Sequence, residues 1–163
     1  MITLIACIDN NYGIGDNEGN LLFKIPKDMK HFKDTTEGKI VVFGRKTAES
    51  LPNKEPLSRR INLLLTRDIE YNLDGFICIR NKEAILDLSK SSEVFICGGG
   101  KIYEEFIEHA DRIIITHVHS SSDNAEVFFP NINKKEWEVI KFISNDKEDN
   151  NPSFDFIEYR RIK

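Results

Sequence analysis

Short apolar runs rich in β-branched residues alternate along this chain with segments of helical periodicity. The predicted strands are Thr3–Ile8, Ile40–Phe43, Ile61–Leu65, Phe76–Ile79, Val94–Cys97 and Ile113–Val118. The predicted helices between them are Pro26–Thr36, Arg45–Ser50, Lys82–Leu88 and Lys101–His109. Continuous apolar strands that alternate with helices are typical of a parallel sheet with helices on both faces. We therefore predict an α/β protein with a doubly wound sheet.

The C-terminal part of the chain has a different pattern. Trp137–Phe142 and Phe154–Arg161 have strand character, and the polar segment Ser144–Ser153 between them has the composition of a turn. Two strands joined by one turn form an antiparallel hairpin. We expect a three-layer mixed sheet of about eight strands, mostly parallel with an antiparallel C-terminal edge strand, flanked by about four helices. The length of 163 residues predicts a single domain, residues 1–163.

Composition limits the classes of function and of partner. The formal charge of −4 and the pI of about 5.6 argue against nonspecific nucleic-acid binding, which depends on a basic field. No apolar run is as long as a membrane-spanning helix, which needs about 20 residues. The cysteines Cys7, Cys78 and Cys97 are odd in number and lack C-x-x-C spacing, as expected for reduced core thiols. We expect a cytoplasmic monomer without nucleic-acid or membrane partners.

Asp28 is an acidic residue on an apolar helix face. Pro26 suits the first position of its helix, and Ile25, Met29 and Phe32 share the face on which Asp28 lies. A carboxylate on a buried stripe is costly unless something binds it, and its pKa should be perturbed. An acid in the first helical turn also favours the helix dipole, so this segment alone leaves a structural role open.

A buried hydroxyl and two histidines mark the last predicted parallel strand. Thr116 lies on the apolar face of this strand, where its hydroxyl needs a partner, and Asp28 is a candidate. His117 and His119 lie on the other face with the H-x-H spacing of zinc sites. No third ligand is evident, so a solvent-exposed strand face explains them better and we expect no metal.

Three strand ends have anion-binding chemistry. They are followed by Gly44-Arg45-Lys46-Thr47, by Thr66-Arg67 and by Gly98-Gly99-Gly100-Lys101. Open α/β sheets bind ligands beyond the carboxyl ends of their strands, where free N–H groups and cations bind phosphate. Neither a P-loop nor a G-x-G-x-x-G motif is present, and each segment alone also fits a simple turn. Together they predict a site for a nucleotide with several phosphates, one held by Arg45 and Arg67.

Two further segments have a functional and a structural interpretation. Arg59 and Arg60 precede a strand, and either one could bind a substrate carboxylate through a fork of N–H groups or simply be solvated. Asn10–Lys24 contains three glycines and no periodicity, and it is long for a connection between a strand and a helix. Long loops in compact domains are often functional lids.

In this order, these segments resemble the dihydrofolate reductase family over nearly the whole chain. The resemblance runs through Ile2–Gly15, Ile25–Lys33, Phe43–Pro52, Ile96–Tyr103, Ile115–His117 and Phe128–Pro130. G-R-K-T-x-E-S-L-P and I-x-G-G-G-x-x-Y are its most specific patterns. It implies NADPH-dependent reduction of 7,8-dihydrofolate to tetrahydrofolate, by hydride transfer to C6 and protonation of N5, in support of one-carbon metabolism and thymidylate synthesis. Dihydrofolate and antifolates would be the ligands.

The resemblance also implies roles for the residues of the substrate pocket. Asp28 would bind the 2-amino group and N3 of the pterin, and Thr116 would support it through its hydroxyl and a water. Water would deliver the N5 proton, which Asp28 cannot reach. The catalytic set also includes Leu21 and Phe23. Arg60 would bind the glutamate α-carboxylate, and the pocket would be lined by Ile5, Cys7, Asp28, Met29, Phe32, Leu51, Cys97 and Thr116.

For the cofactor NADPH, the resemblance implies two groups of residues and a cis peptide between Gly98 and Gly99. The adenosine and phosphates would be held by Gly44, Arg45, Lys46, Thr47, Leu65, Thr66, Arg67 and Lys101. The nicotinamide and pyrophosphate would be framed by Ala6, Cys7, Ile14, Gly15, Cys97, Gly98, Gly99, Gly100, Ile102 and Tyr103.

The chain departs from the family pattern near the pterin. Leu22-Phe23 replaces the usual Pro-Trp, so Phe23 keeps an apolar wall but cannot donate the indole hydrogen bond that holds an ordered water. The loop Gly15–Phe23 is one residue longer than in common bacterial members, and Ala48, Ala125-Glu126 and Cys97 also differ. None of these changes removes a catalytic group.

These departures predict that trimethoprim inhibits this protein more weakly than a typical bacterial dihydrofolate reductase. The indole hydrogen bond that is missing at Phe23 and the thiol of Cys97 both change the surface that an antifolate would contact. Inhibition of NADPH oxidation, measured beside a typical bacterial enzyme, tests this expectation. A low-nanomolar inhibition constant would contradict it.

Two other functions remain open at this point. A pyrimidine reductase of riboflavin synthesis has the same fold and cofactor but needs a ribitol-phosphate pocket, and Asp28, Phe32 and Arg60 argue against it. A folate- or nucleotide-binding protein with little catalysis, such as a phage structural paralogue, is compatible with the change at Phe23. Binding without turnover would distinguish it from an enzyme.

Overall fold

Ten strands and four α-helices make up the fold in a computed structural model that describes residues 1–163. The strands are β1 Ile2–Ile8, β2 Gly13–Gly15, β3 Ile40–Gly44, β4 Ile61–Leu65, β5 Ile77–Ile79, β6 Val94–Ile96, β7 Arg112–Val118, β8 Val127–Phe128, β9 Trp137–Asn145 and β10 Phe154–Arg161. The helices are α1 Pro26–Thr36, α2 Arg45–Glu49, α3 Lys82–Ser89 and α4 Gly100–Phe106, with 3₁₀ turns at Pro52–Lys54 and Ile107–His109.

Eight of the strands form one mixed sheet in the order β5-β4-β3-β6-β1-β7-β10-β9. The strands from β5 to β7 pair in parallel, and β10 is antiparallel to both β7 and β9. The predicted α/β class and mixed sheet are therefore confirmed. One detail differs: the antiparallel strand β10 lies one place inside the edge, because the hairpin pairs its second strand with β7 and leaves β9 outermost.

The sheet has a hydrophobic core on each face. Leu4 and Val42 belong to the core on one face, and their chain neighbours Ile5 and Val41 belong to the core on the other. Successive side chains of a strand point to opposite faces, so strands covered on both sides are apolar at every position. Helices α3 and α4 pack on the first face, and α1 and α2 pack on the second. This explains the uninterrupted apolar runs in the sequence.

The helix predictions hold with two corrections. Helix α1 has the predicted bounds and begins with Pro26. Met29, which was expected on the apolar stripe, instead has 55% of its surface exposed. The single predicted helix from Lys101 to His109 is instead α4 followed by a 3₁₀ turn, in which the Ala110 N–H donates to the Ile107 carbonyl.

A small second sheet was not predicted. Strands β2 and β8 pair antiparallel, with Gly13 opposite Phe128 and Gly15 opposite Val127. Each strand has three residues or fewer, too short for a period of two to be visible in the sequence. No helix is both long enough and apolar enough to span a bilayer.

Candidate active site

A partly buried carboxylate and a buried hydroxyl form the centre of the site. Thr116 of β7 donates a hydrogen bond from its hydroxyl to Oδ1 of Asp28 on α1, at 2.5 Å. Thr116 has only 3% of its surface exposed. Burial raises the pKa of Asp28 above its ordinary value, and the Thr116 hydrogen bond and His31 oppose this rise. The partnership that the sequence suggested is therefore present, and the carboxylate has further acceptor capacity.

The Cys7 thiol lies beside the Asp28 carboxylate and belongs to an apolar wall. Cys7 and Phe23 pack against a small core cluster of Ile25, Val118 and Phe154. Burial, and then the charge of Asp28, raise the pKa of the Cys7 thiol well above its ordinary value, so the thiol stays neutral. The low polarity of this wall makes hydrogen bonds to the carboxylate stronger than they would be in water.

The other predicted pocket residues lie on the same face of the sheet. Ile5 is buried in the core beneath α1 and α2, and Phe32, Leu51 and Cys97 pack against that core while staying partly accessible. Burial also raises the pKa of the Cys97 thiol. Leu21 is exposed over 57% of its surface, and Met29 is exposed as well. Ile5, Phe32, Leu51 and Cys97 are thus brought together on one face of the sheet.

The structure distinguishes the two adjacent arginines. The Arg59 guanidinium pairs with Glu37 at 2.7 Å and points into solvent. Arg60 donates from Nη1 to the hydroxyl of Thr36 at 3.1 Å and from Nε to the Ser58 carbonyl at 2.9 Å. Arg60 has no carboxylate within ion-pair distance, and burial lowers its pKa. Arg60 is therefore the oriented, unpaired cation that could bind a substrate carboxylate.

Asn62 fixes the loop that positions Arg60, a role the sequence did not reveal. Its side chain accepts from the Leu57 N–H at 2.9 Å and donates to the carbonyls of Leu57 at 2.9 Å and Arg60 at 3.0 Å. Asn62 has only 5% of its surface exposed. The sequence signal that could have found Asn62 is a side-chain amide within a predicted buried strand. A buried amide needs several hydrogen-bond partners, so such a residue is expected to fix nearby backbone.

A glycine cradle forms where the carboxyl ends of β3 and β6 meet. The peptide bond between Gly98 and Gly99 is cis, as expected. The Gly44 N–H donates to the Gly98 carbonyl at 2.7 Å, while the N–H groups of Gly98 and Gly99 have no acceptor in the protein. A Cβ on Gly44 would lie 3.0 Å from Ile102, and one on Gly99 would lie 3.3 Å from the Thr47 hydroxyl. The cradle therefore presents free N–H donors, and the absence of side chains on its glycines leaves room for a ligand to approach them.

Tyr103 of α4 fastens this cradle to the central strand. Its hydroxyl donates to the carbonyl of Ile5 at 2.7 Å, and burial raises its pKa well above the ordinary value. Gly100 and Ile102 are also buried, and Ala6 packs against the same core. A buried hydrogen bond therefore joins α4 to the middle of β1.

Cations line the sheet edge beyond the cradle. Arg45, Lys46, Arg67 and Lys101 are exposed, and neither lysine has a carboxylate within ion-pair distance. Thr66 is partly buried and its hydroxyl accepts from the Asp68 N–H at 3.3 Å. Leu65 differs from the others, since its side chain is buried in the core and only its backbone faces this edge.

The predicted lid is tied to the protein at several points. The buried carboxylate of Asp9 accepts hydrogen bonds from the N–H groups of Asn11, Gly13 and Ser122 at 2.7 to 2.9 Å. The Glu126 N–H donates to the carbonyl of Gly15 at 2.9 Å. Strand β2 includes the predicted site residues Ile14 and Gly15. It is therefore anchored to the loop before β8. Asp9 was not predicted as a functional residue.

His117 on β7 and His119 just after it already have partners within the protein. Nε2 of His117 lies 2.9 Å from Oδ1 of Asn10. His119 contacts the Ser153 hydroxyl through Nδ1 at 2.8 Å and Asp155 through Nε2 at 2.7 Å. These contacts join β7 to β10 and to the start of the lid, which gives both rings a structural role.

Comparison with known families identifies the arrangement. The sequence model of the family described as Dihydrofolate reductase matches residues 1–161. The chain belongs to the dihydrofolate reductase family. A dihydrofolate reductase of Bacillus subtilis (strain 168) is 29% identical over 163 residues, covering 99% of this chain and 95% of the relative. A "Dihydrofolate reductase type 3" of Salmonella typhimurium is 33% identical over 153 residues, covering 93% and 91%.

A solved dihydrofolate reductase has the same fold. The enzyme of Enterococcus faecalis, complexed with NADP(H) and RAB-propyl, superimposes with a TM-score of 0.93 at 28% identity and covers 100% of this chain and 97% of that one. The dihydrofolate reductase fold thus extends over the whole chain, including the hairpin of β9 and β10.

Proposed function

We propose that this chain reduces 7,8-dihydrofolate to 5,6,7,8-tetrahydrofolate with NADPH. The observation that carries the proposal is the Asp28–Thr116 pair in an apolar wall, on the same sheet edge as the Gly98–Gly99 cradle. Membership of the dihydrofolate reductase family and the fold shared with an enzyme complexed with NADP(H) support it. Hydride transfer requires that two flat rings be aligned in a site that excludes water.

In this proposal Asp28 anchors and polarises the pterin. Its carboxylate accepts hydrogen bonds from the 2-amino group and N3, and these donors offset the cost of keeping an ionised carboxylate buried. Thr116 holds one carboxylate oxygen in place from the opposite side. Asp28 stays at this end of the ring, and a water molecule protonates N5.

The residues of the cradle and the basic edge fit NADPH. The free N–H groups of Gly98 and Gly99 suit the pyrophosphate, and Arg45 with Arg67 suit a further phosphate. When bound, NADPH supplies the hydride. Tyr103 keeps the cradle at a fixed distance from Ile5, a residue of the substrate wall, and so fixes the relative position of the two ligands.

Arg60→Gln is expected to raise the KM for dihydrofolate by about 10- to 100-fold, the size of one hydrogen-bonded charge contact. The kcat should change little. This contact lies far from the reacting atoms, so it is equally strong in the bound ground state and in the transition state. Steady-state kinetics with dihydrofolate at saturating NADPH measure both constants.

Arg59→Gln is the matched control for Arg60. Arg59 is the adjacent residue and carries the same charge, but it is bound to Glu37. We expect this variant to keep the wild-type KM. An equal rise in KM for the two variants would show that only the general positive charge matters, and it would contradict a specific contact with Arg60.

The proposed function is tested by following the absorbance of NADPH in the presence of dihydrofolate. Oxidation that depends on both ligands supports it. If the folded protein binds NADPH and leaves it unoxidised, the proposal fails, and a binding protein or a reductase for another substrate becomes the better account. We further expect antifolates to bind the same cleft and the chain to be monomeric, which light scattering would test.

A further inference from the structure

Tyr71 lies against the predicted phosphate-binding residue Arg45. The Arg45 guanidinium carbon is 3.9 Å from the centre of the Tyr71 ring. The Tyr71 hydroxyl donates to Oε2 of Glu49 at 2.8 Å, and Oε1 of Glu49 lies 3.7 Å from Nε of Arg45. The three side chains form a closed unit that joins α2 to the loop between β4 and β5.

The backbone holds Tyr71 in place independently of Arg45. Arg80, which follows β5, donates to the carbonyls of Tyr71 at 2.8 Å and Asp68 at 2.5 Å. The Tyr71 N–H donates to the Asp68 carbonyl at 3.1 Å. Tyr71 is therefore a fixed platform for the half-exposed Arg45 side chain.

One edge of the Arg45 guanidinium remains available to a ligand. Tyr71 covers its face and Glu49 lies beside Nε, while Nη1 points towards the exposed carboxylate of Asp68 at 3.7 Å. This distance is too long for a hydrogen bond, so the N–H groups of this edge make no hydrogen bond within the protein and are open to a ligand. A phosphate dianion would compete with Asp68 for these donors.

We propose that Tyr71 is a positioning residue that makes this enzyme select NADPH over NADH by orienting Arg45. The inference rests on the proposed function, and it adds the residue that decides cofactor choice. NADPH differs from NADH only in a phosphate on the adenosine ribose. A guanidinium already stacked in one orientation loses less side-chain freedom when it binds this phosphate.

The chemistry of the Tyr71 side chain suits this role. A cation over an aromatic face is attracted by the ring itself, so the stacking does not depend on the hydroxyl. Burial, and then the hydrogen bond to Glu49, raise the pKa of Tyr71, so the phenol stays neutral and remains a donor. The ring orients Arg45 directly, and the hydroxyl holds the carboxylate of Glu49 beside it.

Tyr71→Leu and Tyr71→Phe, assayed with NADPH and with NADH, test the proposal. The leucine variant loses the ring, so its ratio of kcat/KM for NADPH to that for NADH should fall about 3- to 30-fold, mainly through the KM for NADPH. Its constants for NADH should stay at the wild-type values. The phenylalanine variant keeps the ring and should keep the ratio within about twofold.

Binding of adenosine 2′,5′-bisphosphate and of adenosine 5′-monophosphate gives a readout without turnover. The leucine variant should lose affinity for the bisphosphate and keep its affinity for the monophosphate. Calorimetry measures the two dissociation constants. Equal losses for both nucleotides, an unchanged ratio, or a phenylalanine variant as impaired as leucine would each overturn the proposal. If no cofactor is oxidised but bisphosphate selectivity falls as expected, the proposed function fails and the role of Tyr71 stands.

Discussion

Asp28→Asn is expected to lower kcat/KM for dihydrofolate by about 100-fold or more, while NADPH binding changes little. An amide can accept through only one oxygen and carries no charge, so it cannot receive both N–H donors of the pterin as the carboxylate can. Losing charge-assisted hydrogen bonds of about 1.5–3 kcal/mol each corresponds to a loss of about 100-fold. Steady-state oxidation of NADPH measures this loss.

The variant should lose activity without losing stability. Burial raises the folded-state pKa of Asp28 above its ordinary value of 3.8. For a carboxyl group shifted in this direction, ionisation costs the folded state free energy, so stability falls as the pH rises from the unfolded-state pKa through the folded-state pKa. At neutral pH we therefore expect Asp28→Asn to be at least as stable as the wild type, and the difference should vanish as the pH falls below 3.8. Urea unfolding across this pH range measures it.

Asp34→Asn provides the matched control on the same helix. Asp34 is exposed and pairs with Lys30 at 2.6 Å. Its loss should leave kcat/KM unchanged. Turnover that is insensitive to Asp28, or equally impaired in both variants, would contradict the site that we assign while leaving the overall activity intact.

Most of the fold could be predicted because its signals are local. The uninterrupted apolar runs of β3 and β4 and the proline at the start of α1 are visible within a few residues, and their bounds agree with the structure to within one residue. Strands β2 and β8 could not be predicted, because their pairing is a tertiary event between Gly13–Gly15 and a segment more than one hundred residues later. Short glycine-rich segments lack the alternation of apolar and polar residues that predicts a strand.

In the candidate site, too, residues with a local signal could be predicted and residues defined by tertiary contacts could not. Asp28, Arg60 and the residues of the cradle could be proposed because each has an unusual chemistry for its local pattern, and because strand ends converge in an open α/β sheet. Tyr71 and Asn62 look like ordinary loop and strand residues. Only the folded chain shows that Tyr71 stacks on Arg45 and that Asn62 holds the backbone of Arg60.

Asp9 is the strongest case of a residue whose role depends on distant partners. It immediately follows the apolar stretch of β1, has no exposed surface and accepts from three backbone N–H groups. Two of these donors, Asn11 and Gly13, belong to the lid, and the third, Ser122, belongs to the loop before β8. A single carboxylate therefore satisfies the buried backbone where the two segments meet.

Asp9→Ala is expected to lower the free energy of unfolding by about 3–5 kcal/mol, because the deletion leaves buried donors without an acceptor. Asp9→Asn should cost less, since its remaining oxygen can still accept from Asn11 and Gly13 while its amide group faces the Ser122 N–H. Urea unfolding measures both variants. Amide hydrogen exchange of residues 10–24 should show faster opening of the lid in the alanine variant.

Asp16→Ala separates the effect of burial from that of removing any acid from the lid. Asp16 also accepts backbone hydrogen bonds, from Glu18 at 2.9 Å and Asn20 at 3.0 Å, but these bonds are exposed. Water can replace an exposed acceptor, so the loss of Asp16 should destabilise the protein much less than the loss of Asp9. If Asp9→Ala proves as mild as Asp16→Ala, then water or a shifted backbone satisfies the three donors. The junction at Asp9 would then not be what holds the lid to the sheet.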